Sequence, residues 1–235
     1  MNLSINTPSV WGFIKLEKFE EACVLADSEF KENGDIFPLR NKIFALLQLN
    51  KFDEVIHLSK QLIGSNDGST DSDFIFLGVA HWLKGQRDLA VEAWKSGLHA
   101  QYTDAAGGIE VPLLLLFAAV IIQDKKFEKE ALNLLKKATK SKRMINWPGP
   151  LADYMLGKIS EETLRSMVDA QPILHEKQTC QAVFFIAINR FLSGDKKAFQ
   201  DGLTACAKSN PYCYTQAELY LAKAELGKIA AVVSQ

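Results

Sequence analysis

Imidazole is the side chain most often recruited as a metal ligand or general base, so His57, His81, His99 and His175 are the first residues to weigh. None belongs to HExxH or HxH, and none pairs with a cysteine at ligand spacing, so the sequence predicts no zinc site. His81 instead occupies a helix position suited to packing. Asp67, Asp71 and Asp73 alternate as in a calcium loop, yet the glycine and the distant bidentate glutamate of such a loop are missing. Asp71 or Ser72 reads as a helix N-cap. Gly107-Gly108 precedes a helix as a phosphate cradle would, but no GxGxxG, GKS or GKT and no strand accompanies it, which leaves a turn. Glu161-Glu162 follow Ser160 and read as a capped, dipole-compensated helix start. There is no GxSxG and no carboxylate pair placed for acid–base work. The expectation is a protein without enzymatic activity, metal, cofactor or small-molecule substrate.

Charge points the same way. Lys136, Lys137, Lys140, Lys142 and Arg143 form a basic stretch, but acidic Glu128 and Glu130 lie nearby and no stacking aromatics interleave. It reads as a solvated helix face. A formal net charge of -1 supplies no drive toward nucleic acid or anionic lipid. Cys23, Cys180, Cys206 and Cys213 show no CxxC spacing and read as reduced thiols, with a Cys206–Cys213 bridge across a turn as the alternative. The start, MNLSINTPSVWGFIK, lacks the pattern of a secretory signal. Leu113 to Ile122, the most apolar run, is far short of the roughly 20 residues of a membrane helix and reads as a helix buried all round. No membrane partner and a cytoplasmic location are expected.

The elements carry more information than the candidate chemistry. With 48% hydrophobic and 23% charged residues, the composition is that of an ordinary globular protein. Asp71 to Leu98 reads as two helices around Gly85. Phe74, Leu77, Gly78 and His81 share one face, and Ala90, Trp94 and Leu98 mark the buried side of the second helix. Gly78 and Ala90 permit close approach while Phe74 and Trp94 fill the space beside them. Equivalent small residues recur at Ala22, Val55 and Ala131, at spacings of 33, 35 and 41. Gln101 to Glu110 holds the extra residues of the longest interval.

This aromatic, Leu-Gly, small, aromatic pattern resembles the tetratricopeptide repeat (TPR), whose period is about 34 residues. The resemblance implies an all-α, right-handed helical solenoid of about five hairpins plus a terminal helix, forming one domain over 1–235. Residues 1–143 supply four units. After Asn146 to Pro150 the register changes: a short helix Leu151 to Leu156, then a pair Thr179 to Leu192 and Lys196 to Lys208, then a last helix Tyr214 to Lys228 with a face of Ala217, Leu221 and Ala224. Trp147-Pro148, Leu156-Gly157, Phe184-Phe185 and Ala198-Phe199 in this half resemble the TPR lipoprotein adaptors of the enteric outer membrane. No lipidation cysteine follows a signal segment here, so the anchor is not implied. Trp82, Ala90, Trp94 and the Gln101 to Glu110 stretch are similar to standalone TPR-like immunity proteins of bacterial polymorphic toxins.

Both resemblances imply a protein partner. The immunity-type implies a toxin that is bound and neutralised; the adaptor type implies proteins brought together without inhibition. In TPR proteins the first helix of each pair lines a concave groove. Transferred here, groove positions fall on Phe37, Arg40, Phe44, Leu47 and Gln48, on Ser72, Ile75, Val79, Trp82 and Leu83, and on Gln123 and Asp124. The expected partner-binding set is Arg40, Phe44, Gln48, Ile75, Val79 and Trp82, joined by Tyr102, Asp104 and Glu110 of the insertion. Two alternatives stay open: Phe44 and Trp82 as core, and the insertion as a loop packed on the next repeat.

Overall fold

The computed structural model describes residues 9–65, 68–140, 143–208 and 210–233, so Asp67 and Lys142 of the sequence argument lie outside the described residues. Every regular element among the described residues is helical. The helices are α1 (Val10–Lys15), α2 (Phe19–Asn33), α3 (Phe37–Gln48), α4 (Phe52–Ile63), α5 (Asp71–Leu83) and α6 (Arg87–Gly97). They continue as α7 (Glu110–Ile122), α8 (Lys125–Ala138), α9 (Gly149–Met155), α10 (Glu161–Ser166), α11 (Pro172–Leu192) and α12 (Lys196–Ala207). A 3-10 turn, Pro211–Thr215, leads into α13 (Ala217–Val233). Neighbours in sequence pack as neighbours in space, the arrangement of an all-α helical-repeat solenoid.

One turn geometry generates the array. Glu17, Asn50, Gly85, Gln123, Gly157 and Gly194 all adopt positive φ between two helices. In each case the next residue's N–H returns to the carbonyl five residues back: Lys18 to Phe13, Lys51 to Leu46, Gln86 to His81, Asp124 to Ala119, Lys158 to Asp153 and Asp195 to Arg190. This closure satisfies a carbonyl that the helix end would otherwise leave orphaned. The six turns fall 33 to 38 residues apart. The expected change of register after Asn146 is therefore corrected: α9–α10 is a shortened fifth hairpin, and the period runs on through α11–α12 as the sixth. The expected start at Thr179 is corrected too, because Pro172 opens α11 a full two turns earlier.

Packing follows the small residues. Ala22, Val55, Ala90 and Ala131 are all fully buried, one in each second helix from α2 to α8. A Cβ on Gly78 would meet the Trp94 indole, whose Nε1–H donates to the Ile75 carbonyl at 3.1 Å. The absent side chain thus lets α5 and α6 close. In α7, Leu113 to Ala119 are buried without exception, between α6, α8 and α11. No helix among the described residues is long and apolar enough to cross a membrane.

The last helix departs from a stacked series. It packs on α12 and α11, and also on α5, across the inner side formed by the first helices of the hairpins. Just before it, the Tyr214 hydroxyl donates to Glu17 at 2.7 Å and its ring meets Phe19 edge-on, so the 3-10 turn packs against the α1–α2 turn.

Candidate functional site

The inner side is built from α3, α5 and α7, and α13 fills it. Gln48 on α3 donates to the Tyr220 hydroxyl at 3.1 Å, which in turn donates to the Tyr214 carbonyl at 2.8 Å. Trp82 on α5 donates its indole N–H to Glu225 at 2.8 Å, and Lys228 lies over the same indole while pairing with Glu225. Phe44, Phe76 and Tyr220 form a run of edge-to-face rings linking α3, α5 and α13. Phe44, Ile75, Val79 and Trp82 are consequently buried, Trp82 at 0% exposure. This corrects the expectation of an open groove: these four are core, and Gln48 is bound within the chain. The cause is occupancy of the inner face by the chain's own terminal helix.

The insertion is ordered by one carboxylate. Asp104 accepts the N–H groups of Ala106 and Gly108 on one oxygen and those of Ile109 and Glu110 on the other. It thereby caps α7, whose N-cap residue Ile109 makes no side-chain cap of its own. The Asp104 N–H donates to Asp71 at 2.6 Å. Tyr102 forms a bridge with Thr70, through the Tyr102 N–H to the Ser69 carbonyl and the Asp71 N–H to the Tyr102 carbonyl. The insertion is thus tied to the start of α5. There Thr70 is the N-cap in a reciprocal box with Asp73, correcting the assignment to Asp71 or Ser72. Asp104 is not available to a partner, because its oxygens are spent on backbone.

Glu110 turns inward. Gln181 on α11 donates to Glu218 at 3.1 Å and, more loosely, to Glu110 at 3.4 Å, while its own carbonyl accepts the Trp147 indole N–H at 2.6 Å. Burial pushes Glu218 up to about 7; burial and the neighbouring charges of Glu218, Asp71 and Asp104 hold Glu110 well above the usual carboxylate range. Burial likewise pushes Asp71 up to about 6. That Gln181, Glu218 and Trp147 converge is not legible in the sequence, since no local spacing relates them. The described residues contain no group of three or more acids, histidines or cysteines able to hold a metal ion.

The rim is different. Arg40 makes a two-pronged ion pair with Asp73, both bonds at 3.0 Å, and lies 5.6 Å over the Phe37 ring. Phe37 is 66% exposed and Tyr102 53% exposed, across a cavity of about 540 Å³ lined also by Asp35, Ile36 and Thr70. Of the nine expected site residues, Arg40 and Tyr102 alone meet at a surface. Phe37 carried a signal, since it falls at a groove position of the repeat count.

The remaining candidates settle by contact. His81 is buried, with Nδ1 2.7 Å from the Gln86 amide oxygen. Ser160 caps α10, and Glu161 pairs with Arg165 and Arg190. Lys136, Lys137, Lys140 and Arg143 are exposed. Cys180 and Cys206 are the cysteines that meet, at 3.4 Å between sulfurs, while the Cys213 thiol donates to the Glu176 carbonyl. No protein-family model matches the sequence, and no curated protein shows significant similarity to it.

Proposed function

We propose that the chain is a TPR-type protein-binding module that docks one partner protein at the rim formed by Phe37, Arg40 and Tyr102. The observation that carries this reading is two large aromatics left exposed beside an anchored guanidinium, in a molecule whose inner face is already filled. Aromatic residues and arginine are the types that most often dominate interface energetics. Arg40 is held rigid by Asp73, so little ordering entropy is lost on docking. The cavity suits an apolar side chain of the partner.

Within this reading, a stoichiometric inhibitor of the immunity type, masking a toxin domain in the cytoplasm, is favoured over an adaptor. Peptide-gathering adaptors use the inner groove, and here α13 fills it. The partner would be captured with the intact chain, followed by determination of stoichiometry and of the partner's activity when bound. A one-to-one complex in which the partner is silenced is expected; a partner that stays active would replace inhibition by scaffolding. Changing Phe37 and Tyr102 together to serine should weaken the complex at least tenfold, about 1.4 kcal/mol or more. Unchanged affinity would remove the rim from the interface.

A further inference from the structure

We propose that Glu110, Gln181 and Glu218 form a proton-operated latch on α13: with the Glu218 carboxyl protonated and neutral beside Gln181 and Glu110, α13 stays seated across α5 and α11, and loss of that proton unseats the helix's first turns.

The geometry begins with Trp147. An indole N–H can only donate, so the Gln181 oxygen faces it and the Gln181 amide nitrogen must face the two carboxyls. That single nitrogen serves both Glu110 and Glu218. Glu218 is 0% exposed, and its Oε2 has no hydrogen-bond partner among the described residues. A neutral carboxyl in that place forgoes one hydrogen bond; an ionised one is a buried charge without a counter-ion, a far larger penalty. The start of α13 favours an anion, but that contribution is small beside the desolvation of a fully buried carboxylate.

Among the described residues, no cation acts on either carboxyl. From α7 comes Glu110 itself, from α5 Asp71, and from the insertion Asp104, all acids. α11 contributes Gln181 and, one turn earlier, Lys177, which lies over the Trp11 ring at 5.9 Å and whose charged form burial disfavours. α12 presents the Cys206 thiol to Cys180. Arg40 is committed to Asp73, and Lys228 to Glu225 on α13 itself. Tyr214 of the 3-10 turn is committed to Glu17.

The sign follows from the raised values. Both acids hold protons more tightly folded than unfolded, so docking is strongest below their ordinary value of 4.5 and weakens as pH rises. For Glu218 the loss runs from there to about 7, and Glu110, also raised by burial and by the neighbouring acids, acts in the same direction. Glu218 therefore loses its proton near neutrality.

Hydrogen exchange on the intact chain at about pH 6 and about pH 8.5, corrected for intrinsic exchange, tests this. The latch requires amides of the first half of α13 to lose at least tenfold protection at the higher pH while those of α3 and α4 keep theirs. Glu218→Gln cannot ionise and should hold α13 protected at both values. If that variant does not fold, Glu110→Gln, which leaves Glu218 without a charged neighbour on α7, should at least halve the drop on a logarithmic scale. Equal protection at both pH values in the unmodified chain overturns the latch. So does an undiminished drop in the variants, or a loss spread evenly over all helices.

Discussion

The inner face and the rim are made from the same first helices, yet they end in opposite states. Along α3, Phe44 and Gln48 are taken up by the chain itself, while Phe37, at the start of the same helix, stays in solvent beside Arg40. Along α5, Trp82 is buried under α13, while Asp73 at the first turn braces the rim arginine. The difference lies in how far α13 reaches. Repeat position alone makes a residue available to a groove; a long-range element decides whether solvent, a partner or the chain takes it.

The inner face should be the costly place to disturb. Trp82→Ala would leave Glu225 without its indole donor and open a hole beside Trp94 and Phe117, a loss of roughly 3–5 kcal/mol in urea unfolding. A loss below about 1 kcal/mol would mean that α13 is only loosely seated. The insertion comes next. Asp104→Ala removes the acceptor for four backbone N–H groups and the cap of α7, expected to cost about 2 kcal/mol by the same measurement. Indifference would return the insertion to the class of adaptable binding loops. Tyr220→Phe deletes a hydroxyl that accepts from Gln48 and donates to the Tyr214 carbonyl; about 1 kcal/mol is expected. The rim should give the smallest effect on stability: the Phe37 and Tyr102 serine substitutions should each stay within about 0.5 kcal/mol, because those rings cover little core. Destabilisation well beyond that would make the rim structural and erase the contrast.

How much of this was legible depended on how local each signal is. The α5–α6 hairpin could be read outright, because Gly78, Gly85, Ala90 and Trp94 report on one another within a few turns of helix. The unbroken period could not. Glycine or asparagine announces positive φ at Asn50, Gly85, Gly157 and Gly194, but Glu17 and Gln123 occupy the same conformation without any compositional mark. The insertion was located by length, yet its role was hidden: an aspartate followed by two glycines looks the same whether it greets a partner or gathers its own backbone. At the rim, Arg40 and Tyr102 were both singled out, and the fold brought them together across Thr70.

The sequence by itself determined an all-α array of helical hairpins, since a 3.6-residue apolar period, small residues at the close approaches and turn formers between them act within one hairpin and its neighbours. Only the tertiary structure decided what fills the inner face. Trp82 meets Glu225 at a separation of 143 residues, Gln48 meets Tyr220 at 172 and Glu17 meets Tyr214 at 197. Such contacts depend on how all the intervening hairpins stack, which no short stretch of sequence encodes. That stacking sets the turn before α13 against the α1–α2 turn, places two glutamates around one amide nitrogen, and leaves Phe37 and Tyr102 outside.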